Sequence, residues 1–171
     1  MKAVKIILYI LVALTLIFFG TGLVVKESNY TMEIEINKPL SETFKIFNDQ
    51  STISEWIPEI TKIEAINEKP GITGSEYRIT MDNEGQVMTM KEKVLAFVEN
   101  EKVTLYFDAE GMFKTDDYSF VSEGSKTKII LNVAYQGKSY ILNCVFPYFK
   151  GTFKGIDQKY LENFKEFAEK Q

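Results

Sequence analysis

Near the end of the chain, apolar residues recur at steps of three and four: Leu142, Val145, Phe149, Phe153, Ile156, Tyr160, Phe164 and Phe167. That spacing draws one stripe along a single long amphipathic helix. Such a stripe has to be covered by something broad, and residues 30–135 supply it. In "YTMEIEI", Tyr30, Met32, Ile34 and Ile36 share one face while Thr31, Glu33 and Glu35 share the other. This is the pattern of a half-buried strand. Strand-like runs follow at 61–68, 75–81, 87–98, 102–109, 112–123 and 126–135, separated by the turn signals "KPGITG", "DNEG", "EN", "EG" and "EGS". Hairpin spacing and two-sided character together imply an antiparallel sheet with one wet face.

Two interruptions need placing. Asn37, Lys38 and Pro39 stop the first strand, and Ser41 is suited to N-cap a short helix with Phe44, Ile46 and Phe47 on its inner side. A further helical turn is expected over 52–56, closed by Pro58. In the terminal stripe, Gly151 and Gly155 are weak helix formers, and Pro147 either kinks the helix or marks its true start.

The chain begins with a different kind of segment. The run "IILYILVALTLIFFGTGLVV", opening at Ile6 and closing at Val25, contains no charge. At about 1.5 Å per residue it reaches about 30 Å, the thickness of a bilayer's hydrocarbon core. A cleaved signal peptide is the rival reading, but its apolar region is shorter, about 7–15 residues, and ends at a small-residue site that is missing here. Residues 1–26 are therefore expected to be a membrane anchor and 27–171 a single domain. Lys2 and Lys5 precede the span, whereas Lys26 is followed at once by Glu27. That bias places the N-terminus in the cytoplasm and the domain on the far side of the membrane.

Composition removes several kinds of chemistry. The formal charge is -4, more negative once Lys2 and Lys5 are set aside, and Arg78 is the sole arginine. Such a domain is a poor nucleic-acid binder. There is no histidine, which removes Ser-His-Asp and Cys-His catalysis and imidazole metal sites. The single cysteine, Cys144 in "ILNCVF", forms no internal disulfide and reads as a buried, inert thiol. No metal or cofactor is expected.

Strand parity drafts an inner surface. Tyr77, Ile79, Met81, Met88, Met90, Val94, Leu105, Phe107, Tyr118, Phe120, Ile129, Leu131 and Val133 face inward, to be met by Phe149, Phe153, Ile156 and Tyr160 of the terminal helix. Methionine and aromatic side chains suit an adaptable apolar pocket, although the same residues also make an ordinary packed core. Glu92 shares parity with Met90 and Val94, which turns a carboxylate inward unless a bulge or a wet mouth frees it. An inward Glu92 needs a raised pKa or a partner, and it is the one candidate for proton transfer. Asp116 shares parity with Tyr118, yet beside Asp117 it reads as part of a solvated strand end. Trp56, the only tryptophan, either gates a cavity or staples the short helices to the sheet. The apolar stretch "SYILNCVFPYF" (139–149) either packs on the sheet or touches the bilayer.

The order strand, two short helices, six strands, long helix resembles the START-like superfamily, in its polyketide cyclase/dehydrase and lipid-transport branch. The matching segments are "INKPLSETFKIFND", Trp56 and Pro58 in "SEWIPEI", "GSEYRITM", Glu92 in "MTMKEKVLAF", Thr127 in "SKTKIIL", and "YLENFKEFAEK". The resemblance covers residues 30–170, nearly all of the chain outside the apolar segment. The resemblance implies an α+β helix-grip fold, a curved antiparallel sheet wrapped around a long C-terminal helix, here preceded by one transmembrane helix. It also implies a cavity for a hydrophobic small molecule or lipid. The implied ligand-binding residues are Trp56, Tyr77, Ile79, Met81, Met88, Met90, Glu92, Leu105, Phe107, Tyr118, Phe120, Leu131, Phe149, Phe153 and Tyr160. Cyclase- or dehydrase-like chemistry would rest on Glu92 with a tyrosine, and a third reading is a ligand-free envelope interaction module.

Overall fold

The structure, a computed structural model, describes residues 2–171. Helix α1 (Lys2–Val24) is followed by β1 (Ser28–Ile36), α2 (Leu40–Phe47), a 3-10 turn (Gln50–Glu55), then β2 (Ile60–Asn67), β3 (Glu76–Asn83), β4 (Gln86–Val98), β5 (Lys102–Asp108), β6 (Met112–Glu123) and β7 (Lys126–Gly137). Helix α3 (Tyr140–Val145), a second 3-10 turn (Phe146–Phe149) and helix α4 (Lys150–Lys170) complete the chain. The strands form one antiparallel sheet in the order β1-β7-β6-β5-β4-β3-β2, so the first strand closes beside the last. The sheet grips α4. Observed strand ends fall within one or two residues of those expected from alternation.

Local chemistry explains the tight connections. Between β3 and β4, Glu84 and Gly85 both take positive φ (53° and 90°), the geometry of a two-residue hairpin turn matched to strand twist. The Asp82 carboxylate accepts the Gly85 N–H at 2.7 Å and fixes that turn. Asp49 caps the first 3-10 turn by accepting from the Ser51 N–H at 3.0 Å.

Two expectations about helices need correction. Helix α2 begins at Leu40 after Pro39 and has no side-chain cap, so Ser41 lies inside the first turn and not at the cap. The terminal stripe is not one helix. Pro147 stands in the first turn of the second 3-10 segment, and the long helix starts only at Lys150. A proline has no N–H for an interior helical bond, so it is tolerated at the start of a turn. The break divides the stripe into α3, which turns toward α1, and α4, which crosses the sheet.

Helix α1 is long and apolar enough to cross a membrane. Its last turns rest on α3 and the turn after it. The Tyr140 hydroxyl donates to the Phe19 carbonyl, Phe19 stacks on Tyr140 at 6.3 Å, and Thr21 meets the Tyr148 hydroxyl at 3.0 Å. The stretch 139–149 thus packs on α1 as well as on the sheet. Gly22 sits against the buried Cys144, and a Cβ there would overlap its sulfur and stand 3.1 Å from the Tyr140 ring. Gly22→Val is therefore expected to push α1 off α3, since overpacking costs about 1–3 kcal/mol. Maleimide labelling of Cys144, the only thiol, should then run roughly tenfold faster than in the parent chain.

A cavity between sheet and helix

Helix α4 closes on the sheet unevenly. Along its second half, Leu161, Phe164 and Ala168 are fully buried against Phe47, Trp56 and the inner strand residues. Phe164 lies 5.2 Å from both the Phe47 and Trp56 rings. Along its first half, Phe153, Ile156, Asp157 and Tyr160 face a hollow of about 960 Å³. That is near the top of the range of about 300–1,000 Å³ typical of small-molecule sites. The walls are largely apolar, with Tyr77, Ile79, Met81, Met88, Met90, Val94, Leu105, Phe107 and Tyr118 on the sheet side.

Sequence parity placed those residues inward, and the register keeps them so. The β-bulge in β4 falls between Val94 and Ala96, after Glu92, so Glu92 retains the parity of Met90 and Val94 and faces the hollow. Five expected lining residues stand elsewhere, Ile129 and Val133 among them, both packed in the core beside Leu131. Phe120 and Leu131 lie in the packed core, because α2 covers that end of the sheet and sets Phe44 against Phe120 at 5.0 Å. Phe149 is 49% exposed: the break at Pro147 rotates it off the α4 stripe. Trp56 is both wall and staple, lining the hollow while bridging Phe47 to Phe164.

The strand register also builds a polar cluster that alternation alone left unread. One inner row runs Tyr77–Glu92–Phe107–Lys114–Tyr135, and the next runs Val94–Leu105–Asp116–Val133–Tyr30. Asp116 is thus buried at the middle of the sheet and not at a solvated strand end; it is Asp117 that faces outward, to Lys102 and Thr104. The Lys114 ammonium donates to Asp116 Oδ2 at 2.9 Å and to Asp157 Oδ1 at 2.8 Å. Asp157 comes from α4, and its second oxygen accepts from the Tyr30 hydroxyl at 2.6 Å. Parity with Asp116 could have flagged Lys114, and its position four residues after Phe153 could have flagged Asp157 as a charge inside the stripe.

Burial and neighbouring charge set the protonation of this wall. Burial, with Asp116 adding repulsion, pushes the Glu92 carboxyl up to about 7 from 4.5. Asp116 is raised to about 6, chiefly by burial, against the pull of Lys114. Burial works to neutralise Lys114, but the two aspartates outweigh it and hold its pKa above the usual lysine value. Tyr160 is pushed up to about 12 by burial and by Glu59. Two polar atoms on the wall, Asp116 Oδ1 and Trp56 Nε1, are buried without a hydrogen-bond partner among the described residues.

The raised Glu92 pKa has a stability consequence. Between about 4.5 and about 7 the folded chain keeps a proton that the unfolded chain releases, so this contribution is full at low pH and is lost as pH rises through about 7. Thermal unfolding measured across that window should show the parent chain losing on the order of 2 kcal/mol more than Glu92→Gln, whose side chain cannot titrate.

No protein-family model matches the chain, and no curated protein matches it. Solved structures do. A START superfamily protein from Mycobacterium smegmatis superposes with a TM-score of 0.71 at 15% identity, over 83% of this chain and 97% of the other. The Zhui aromatase/cyclase from Streptomyces sp. R1128 gives 0.68 at 10% identity, over 84% and 94%. Norcoclaurine synthase from Thalictrum flavum, in complex with dopamine and hydroxybenzaldehyde, gives 0.63 at 14% identity, over 86% and 90%. Strand order, gripped helix and these superpositions identify the chain's fold as the START-like helix-grip fold.

Proposed function

We propose that this protein is a membrane-tethered binder of a hydrophobic small molecule or lipid, with residues 1–26 as tether and 27–171 as binding domain. The observation that carries this reading is the 960 Å³ hollow left where α4 departs from the sheet. Burying an apolar guest there stabilises the complex by roughly 25 cal/mol per Å² of surface removed from water. The walls that would hold it are those of the sheet from Tyr77 to Tyr118, with Trp56, Phe153 and Tyr160. Neighbours of the same fold support the reading, one of them holding two small aromatic molecules.

Placement of the tether fits a membrane-derived guest. Gly111 and Met112 line the cavity at the end where Gly111 approaches Leu142 of α3, and α3 carries the last turns of α1. The same region exposes Tyr140, Ile141, Tyr148 and Phe149. With α1 in the bilayer and its N-terminus cytoplasmic, this end of the cavity lies against the outer membrane surface. Protease added outside sealed cells should then cleave the domain; protection would place it in the cytoplasm. For binding itself, Ile79→Trp should narrow the cavity and weaken quenching of Trp56 by an apolar nitroxide probe, with a melting curve to verify that the domain still folds. Equal quenching by both chains, once corrected for the added indole, would count against the reading.

One observation favours a second reading, an enzyme of cyclase or dehydrase type. Glu92 is a carboxyl poised near pH 7 inside an apolar cavity, the state a general acid–base group needs. On that reading turnover of a polyketide-like substrate falls at least about a hundredfold in Glu92→Gln; unchanged turnover would remove it.

A further inference from the structure

The cavity wall is short of positive charge. Lys114 and Asp157 balance each other, and the Tyr30 hydroxyl completes Asp157. Asp116 has only its share of the same ammonium, through one oxygen, while Oδ1 is buried without a partner. Glu92 faces the same hollow and makes no hydrogen bond among the described residues. Fully ionised, one lysine therefore stands against Glu92, Asp116 and Asp157, with Glu110 a further carboxylate on the lining. Aromatic faces surround them, Trp56, Tyr77, Phe107 and Tyr118 among the lining.

We propose that the ligand is a cationic amphiphile, an apolar body with a protonated amino head seated on Glu92, on the wall that also holds Asp116. This deepens the binding reading above and rests on it. An ammonium offers N–H donors to Glu92, which faces the hollow, and supplies the charge the wall lacks; Asp116, whose Oδ1 is enclosed, gains from that charge without touching the head. Nearby aromatic faces add attraction for a cation and none for an anion. A fatty acid head would meet two like charges and is disfavoured. An alcohol can satisfy one acceptor without neutralising either.

Proton linkage makes the assignment measurable. The charged and titratable groups lining the hollow around the seat are Tyr77 from β3, Glu92 from β4, Glu110 from the turn before β6, Lys114, Asp116 and Tyr118 from β6, Tyr135 from β7, Asp157 and Tyr160 from α4, and Tyr30 from β1. Of these, Glu92 and Asp116 change protonation near neutral pH, at about 7 and about 6. A cation binds their ionised forms and must displace their protons.

The test is titration of the full chain in uncharged detergent with octylamine, octanol and octanoate, read by Trp56 fluorescence at about pH 5.5 and about pH 8. Octylamine should bind best, at least about tenfold tighter at the higher pH, and Glu92→Gln should cut its affinity about tenfold and reduce the pH dependence to the part that Asp116 carries. Octanol binding should survive that substitution. Glu92→Gln replaces a carboxyl that burial already drives neutral, and a melting curve verifies its fold. If octanol or octanoate outcompetes octylamine, or octylamine binding ignores pH and Glu92→Gln, the amino-head assignment is overturned while ligand binding stands. If none of the three binds, both fall.

Discussion

Replacing Lys114 by methionine is expected to cost about 3–5 kcal/mol of folding stability at neutral pH, lowering the melting temperature by roughly 10 °C. Among the described residues the ammonium is the only cation in contact with the two buried carboxylates, Asp116 and Asp157. Without it they face each other in a low-dielectric wall, and the loss is the penalty of uncompensated buried charge. The deficit should shrink as pH falls and Asp116, already raised to about 6, takes up a proton. Adding Asp116→Asn and Asp157→Asn to Lys114→Met should recover most of the stability, because a neutral polar cluster carries no charge to desolvate. A single mutant as stable as the parent chain would mean that this cluster is solvated.

The second large effect concerns α4. Phe164→Ala should destabilise the domain by about 3–5 kcal/mol, since Phe164 is fully buried among Phe47, Trp56 and their neighbours and its removal leaves a void. Ile156→Ala, two turns earlier on the same helix, should cost under about 1 kcal/mol, because Ile156 is 44% exposed and borders the hollow. It should instead weaken binding of an apolar probe. Equal destabilisation by the two substitutions would show that α4 packs tightly along its whole length. Thermal or denaturant unfolding with a binding titration separates the cases.

Much of this architecture was legible in the sequence because each strand has one face to bury. Alternation located the strands within one or two residues, and parity put Tyr77, Ile79, Leu105, Phe107 and Glu92 on the side where they stand. Parity fails where a third layer intervenes. Phe120 and Leu131 face inward as expected, but α2 fills the space above them, and no strand pattern reports what lies overhead. Phe149 fails for a different reason: helical periodicity was carried across Pro147, where the backbone changes phase. The polar cluster escaped because its members lie far apart in the chain. Tyr30 and Lys114 converge with Asp157 only once β1 closes beside β7 and α4 crosses the sheet.

Whether the hollow holds a guest is tested most directly by native mass spectrometry of the full chain, released from its membrane in mild detergent. A discrete apolar adduct should accompany the protein, survive mild activation, and fall in occupancy in Ile79→Trp, whose indole narrows the cavity. Recovery of the bare chain alone, or an adduct that persists unchanged in Ile79→Trp, would contradict binding between α4 and the sheet.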